Sequence, residues 1–120
     1  MREANSYVEQ VWRPVKTVYK EPFGCTDAQS VEEKDLSAIS FFADPLVEEG
    51  WGFGANPGHR WYFKYAQEPD EVLIFKCFDS HGPARRLAHS SFSDPAHADA
   101  EERESVELRA ILWFGDDEEQ

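Results

Sequence analysis

A chain of 120 residues with 41% hydrophobic and 14% aromatic side chains has the size of one domain whose core rests on large rings. Its 24 acidic against 12 basic residues give a net charge of −12, which repels phosphate backbones and anionic lipid and so speaks against nucleic-acid and membrane partners. Cys25 and Cys77 lack a C-x-x-C neighbour, nothing resembles a signal peptide, and no apolar run has membrane-spanning length, which together predict a reduced, cytoplasmic protein.

The first ten residues are polar and carry no clear period. From Val11, the run "VWRPVKTVY" predicts a strand with Val11, Arg13, Val15, Thr17 and Tyr19 on one face. Pro14 predicts that this strand is an edge or carries a bulge. Residues 21–39 predict a turn, a short extended piece and a helical turn near Val31, capped by Asp27 or Ser30. The Gly- and Pro-rich residues 41–58 predict a loop beside a pocket. They lack the following helix and the Lys-Ser/Thr of a phosphate loop.

In "HRWYFKY", His59, Trp61, Phe63 and Tyr65 fall on one face of a strand, and Arg60, Tyr62 and Lys64 on the other. The nearly continuous apolar run "EVLIFKCFDS" predicts a strand buried on both faces, with an inert Cys77. A turn containing His81 follows, then a short extended piece, "LAHSSFSDP", and a surface loop. "RESVELRAILWF" is the clearest strand. Val106, Leu108, Ala110, Leu112 and Phe114 face one way, and Arg103, Ser105, Glu107 and Arg109 the other. Residues 115–120 form an acidic tail. Short strands between Gly/Pro turns, with little helix, predict an all-β barrel or sandwich, and the arginines among the rings predict a polar interior.

The chemistry-bearing pair is His89 and the Arg103-Glu104-Ser105 triplet. A neutral imidazole binds iron, and a planar guanidinium matches a carboxylate with two parallel bonds. A hydroxyl two residues further along a strand shares the arginine's face. These residue types suit an iron site beside a 2-oxoglutarate carboxylate.

Six blocks carry a family resemblance: "VWRPV" at 11–15, "CTDAQSV" at 25–31, "NPGHRWYF" at 56–63, "EVLIFKCFDS" at 71–80, "AHSSFSDP" at 88–95 and "RESVELRA" at 103–110. In order and spacing they resemble the AsaB-like hydroxylase/desaturase family, which includes cephamycin 7-methoxylation and gibberellin-desaturase-like proteins. The resemblance implies a double-stranded β-helix, a jelly-roll or cupin-like barrel. It also implies Fe(II)- and 2-oxoglutarate-dependent oxidation of a small, often secondary-metabolic, substrate. His89 would match the iron-binding histidine before F-x-D-P, and Arg103 and Ser105 the 2-oxoglutarate-binding pair. His59, Arg60, Trp61 and Arg13 are the weaker candidates for a substrate pocket.

The chain departs from the family in one respect. An iron site needs two histidines and a carboxylate, and the family places H-x-D upstream of W-R-P. No histidine precedes His59. His97-Ala98-Asp99 is an H-x-D, but it follows His89 and matches no ligand block. The expectation is therefore a single domain over 1–120 that corresponds to the C-terminal part of the barrel, truncated before the H-x-D motif. Other roles compete for the same residues. His89 could be a hydrogen-bonded barrel histidine, His59 a packed one, and Arg13 and Arg60 cations stacked on Trp12 and Trp61. The alternative function is a catalytically inactive module binding a small acid or a protein. A sheet edge left open would favour a homodimer.

Overall fold

The computed structural model describes residues 5–43, 46–80 and 87–114. Eight strands make up nearly all of its regular structure: β1 Asn5–Pro14, β2 Phe23–Thr26, β3 Leu36–Ala43, β4 Leu46–Phe53, β5 Trp61–Phe63, β6 Leu73–Asp79, β7 His89–Ser91 and β8 Ser105–Phe114. The described helices are three single 3₁₀ turns, at Ala28–Ser30, Glu33–Asp35 and Pro95–His97. The strands form two three-stranded antiparallel sheets, β6-β1-β8 and β5-β2-β7, and a β3-β4 hairpin.

The core lies between the two sheets. Trp12 and Phe75 from the larger sheet meet Phe23 from the smaller one, with Val18 beside them and Cys25, Leu73, Cys77 and Leu87 packed around. Residues directly opposite in an antiparallel pair share a face. Trp12 lies opposite Glu107, Gln10 opposite Arg109, and Pro14 opposite Ser105. The buried Trp12 and Gln10 therefore mark the inner face, and the polar row of β8 lies on it. The apolar row lies outside, where Val106 is 51% and Leu108 65% exposed. The inner faces of β1 and β6 contribute Trp12 and Phe75 to the core, while the polar row of β8 extends that face beyond it. Cys77 packs against the core, and its thiol donates to Gln10 Oε1 at 2.9 Å. Burial pushes the Cys77 thiol pKa up.

Several predicted elements differ. β1 begins at Asn5, within the stretch that shows no period, and it is the central strand, not an edge. Pro14 is tolerated because it ends the strand; the ladder resumes with Val15 N donating to Glu104 O at 2.9 Å. Trp12 and Pro14 turn inward, so the face of Val11 and Arg13 is the outer one. Residues 41–58 are not mainly loop, since β3 and β4 pair from Leu36↔Phe53 to Ala43↔Leu46. Gly52 fits that ladder because a Cβ there would press on the Ile39 side chain across the pair. β6 is buried on one face only, around Phe75, while Ile74 lies in the outer row with Val11 and Leu108. The predicted helical turn resolves into two 3₁₀ turns, the first capped by Asp27, whose carboxylate accepts from Gln29 N at 2.8 Å. His81 and the acidic tail lie outside the described residues.

The acidic loop before β8 is tied down by cations. Lys16 pairs with Glu101 at 2.6 Å and Glu104 at 2.9 Å, and Lys20 with Glu102 at 2.5 Å. These exposed pairs add little stability each, but together they fix the approach of Arg103.

Candidate functional site

His89 opens β7 opposite Cys25 of β2, and Tyr62 of β5 stands opposite Cys25 on its other side. The three side chains form one row on the inner face of the smaller sheet, together with Phe23 one pleat away. The His89 ring stacks on Phe23 at 5.3 Å between centroids and tilts against Phe75 at 4.8 Å. Its Nδ1–H donates to Leu87 O at 3.0 Å, which leaves Nε2 as a lone-pair nitrogen with no partner among the described residues. A bond from Nδ1–H to a backbone carbonyl fixes the tautomer a metal-bound imidazole needs. Burial raises the pKa of the neighbouring Cys25 thiol.

Arg103 approaches from the other sheet. Its guanidinium lies over Trp12, 5.8 Å from the ring centroid, and Nη1 donates to Glu21 O at 2.8 Å. Glu21 holds a left-handed backbone, φ 52°, in the turn before β2. Arg103 thus ties the start of β8 to the start of β2 and keeps the rest of its fork for another acceptor. Trp12 stacks on Phe23 at 4.7 Å. One ring column therefore runs His89, Phe23, Trp12, Arg103, with the candidate metal ligand and the candidate carboxylate clamp at its two ends. Ser105, two residues on, stands on the same inner face, opposite Pro14. Arg109 and Glu107 continue that row, close enough to Cys77 for their charges to act on its thiol.

The other candidates stand elsewhere. Arg13 points from the outer face and donates to Pro69 O at 3.1 Å. Arg60 pairs with Asp27 at 2.5 Å, which raises its pKa further, and its backbone N–H donates to Ser30 Oγ. It is Arg103, rather than Arg13 or Arg60, that lies over a tryptophan. Trp61 pairs opposite Thr26, on the face turned away from His89, and with His59 lines a cavity of about 460 Å³ bounded by Phe53, Asn56 and Pro57. The structure therefore links His89 to Arg103 through the Phe23 and Trp12 rings and sets Ser105 opposite Pro14 on β8, while His59, Trp61 and Arg13 stand apart from that column. His97 of the downstream H-x-D spends both ring nitrogens on Asp94, at 2.7 Å, and Tyr65, at 3.3 Å.

His59 has a buried role of its own. With its side chain 4% exposed, its Nε2–H donates to Asp35 Oδ2 at 2.9 Å, and Asn56 Nδ2 donates to both Asp35 oxygens at 3.0 Å. The His59 bond, then the Glu32 N–H, then Asn56 pull the Asp35 carboxyl down to about 2 from 3.8. A depressed carboxyl stabilises the fold above its unfolded value and loses that contribution as pH falls through its folded value. The Asp35→Asn variant is therefore expected to show a flatter acid limb between pH 3.8 and about 2 in urea midpoints measured against pH. An acid limb identical to that of the wild type would contradict this role.

Comparison with known proteins agrees with this architecture. A family model described as "Oxidoreductase/YMDC permease-like domain" matches residues 4–113. The chain is 35% identical to the hydroxylase/desaturase AsaB of Aspergillus flavus, covering 91% of this chain and 56% of that protein. It is 34% identical to the hydroxylase/desaturase EfuI of Hormonema carpetanum, covering 89% and 40%. It superposes on the iron and alpha-ketoglutarate-dependent endoperoxidase NvfI with a TM-score of 0.82 and 31% identity, covering 93% of this chain and 43% of that one. The chain thus spans about half the length of the curated relatives it matches. Its two facing sheets are part of the cupin-like jelly roll of such oxygenases. By the family model over residues 4–113 and these relatives, the chain belongs to this oxidoreductase family, that of the AsaB-like hydroxylases and desaturases.

Proposed function

We propose that this chain carries the carboxylate clamp and one metal-binding histidine of an Fe(II)- and 2-oxoglutarate-dependent oxygenase site. The complete site would oxidise a small secondary metabolite by hydroxylation or desaturation. The ring column that joins His89 to Arg103 through Phe23 and Trp12 carries this reading. The relatives and the solved neighbour, named as hydroxylase/desaturases and as an iron and alpha-ketoglutarate-dependent enzyme, support it.

The two halves of the site fit unequally. Among the described residues no group of three or more His, Cys, Asp and Glu side chains stands together to hold a metal ion. The iron half is represented by the free Nε2 of His89 alone, and no step through iron follows from these residues. The acid half fits better. Arg103 uses one donor on Glu21 O and keeps the others for a carboxylate, with the Ser105 hydroxyl on the same face to add a further bond. These residues bind and orient a dicarboxylate without a metal.

The lone metal ligand favours one second reading, a small-acid-binding module without redox chemistry. The open sheet edges further admit a second copy of the chain. Calorimetric titration with 2-oxoglutarate in the presence of a chelator tests the acid half: saturable one-to-one binding is expected, and no heat would overturn it. An anaerobic Fe(II) titration of the 2-oxoglutarate complex separates the two readings. A visible charge-transfer band supports the oxygenase site, and its absence supports the binding module.

A further inference from the structure

Among the described residues, the larger sheet ends on β8. β8 runs ten residues, Ser105–Phe114, and among the described residues its strand partner is β1 alone, with none on its other edge. Long open edges recruit further strands, and the inward charges that would guard this one, Glu107 and Arg109, are of opposite sign and two residues apart. It carries no proline or lysine, and Val106, Leu108, Ile111 and Trp113 are each at least half exposed.

We infer that two copies of this chain join edge to edge through β8, antiparallel about a twofold axis at Leu108. An axis at Leu108 sets each residue opposite the one equally far on its other side. Leu108 then meets Leu108 of the second copy, Val106 meets Ala110, and Glu107 meets Arg109 twice over. Both ion pairs fall on the inner face, where Ser105 also meets Ile111, and the Leu108 and Val106–Ala110 contacts fall on the outer one, so each face of the first copy continues into the same face of the second. Shifting the register by one residue would join inner face to outer face. Moving the axis to Ala110 would place Glu107 opposite Trp113 and Arg109 opposite Ile111, leaving both charges unmatched. Charge and face therefore select the same register, as an isologous interface requires. The result is a continuous six-stranded sheet in which the inner row that carries Ser105 runs on into the second copy.

This inference rests on the self-association part of the proposed function and not on iron or 2-oxoglutarate, so its test is independent of ligand binding. Sedimentation of the full chain over a range of concentrations is expected to show a reversible monomer–dimer equilibrium. Glu107→Arg sets like charges opposite each other twice and is expected to weaken the dimer on the order of tenfold or more. The double variant Glu107→Arg with Arg109→Glu recreates both pairs with their signs exchanged and is expected to restore it. Leu108→Cys is expected to form a disulfide-linked dimer under mild oxidation, while Val106→Cys and the wild type, with its partly buried Cys25 and Cys77, do not. A wild type that stays monomeric throughout, a double variant no better than Glu107→Arg, or a Val106→Cys chain that crosslinks as fast as Leu108→Cys would overturn the proposal.

Discussion

Replacing Trp12 by alanine is expected to cost about 3–5 kcal/mol, the range for removing a large buried ring. Domains of this size are stable by about 5–15 kcal/mol in total, so much of the folding free energy would go. The reason is where Trp12 sits. It is 3% exposed on the central strand, stacks on Phe23 across the gap between sheets, and carries the Arg103 guanidinium on its face. The few other buried apolar side chains, Val18, Phe23 and Phe75 among them, cannot fill the cavity without shifting a sheet. Trp12→Phe keeps a ring against Phe23 and is expected to lose about half as much or less, since the cavity left is smaller. Urea unfolding of the three chains measures both. Equal midpoints for wild type and Trp12→Ala would show that the sheets are not joined through this ring.

Arg103→Ala is expected to weaken 2-oxoglutarate binding on the order of tenfold to a hundredfold, the worth of charge-assisted bonds to a carboxylate. The same change removes the bond to Glu21 O and the contact with Trp12, so a loss of binding could follow from a loosened fold. Arg103→Lys separates the two effects. Lysine keeps a cation over the ring but not the planar fork, so it is expected to fold like the wild type and still bind more weakly. Calorimetry beside a urea titration reads both quantities. Wild-type affinity in the lysine variant would assign Arg103 to the fold rather than to the ligand.

The sequence announces some of this architecture and hides the rest, for physical reasons. β8 and β6 are legible because alternation and apolar density are local signals. The start of β1 is hidden because its residues Asn5, Ser6 and Glu9 are polar and its buried Gln10 pairs with Cys77 instead of showing an apolar side chain, so the strand carries no apolar period there. The β3-β4 hairpin reads as loop because Gly50 and Gly52 weaken strand propensity, while its reason, the bulk of Ile39 across the ladder, belongs to a different strand. His89, Arg103 and Ser105 stand out by residue type before any fold is known. The row Tyr62–Cys25–His89 does not, since it depends on how three strands slide against each other. The partner of His59 is equally remote: Asp35 lies on a 3₁₀ turn before β3, and nothing in "NPGHRWYF" points to it. Arg13 and Arg60 adjoin tryptophans in sequence, but neighbours along a strand face opposite ways, which is why it is Arg103 that reaches over Trp12.

The claim on which the account stands is that one hollow is shared by the β7 imidazole and the β8 guanidinium. Side-chain NMR of the ¹⁵N-labelled chain during a metal-free 2-oxoglutarate titration tests it most directly. The His89 ring nitrogens and the Arg103 guanidinium resonances are expected to move together with a single dissociation constant. Movement of Arg103 with a stationary His89, or two unrelated binding curves, would contradict it.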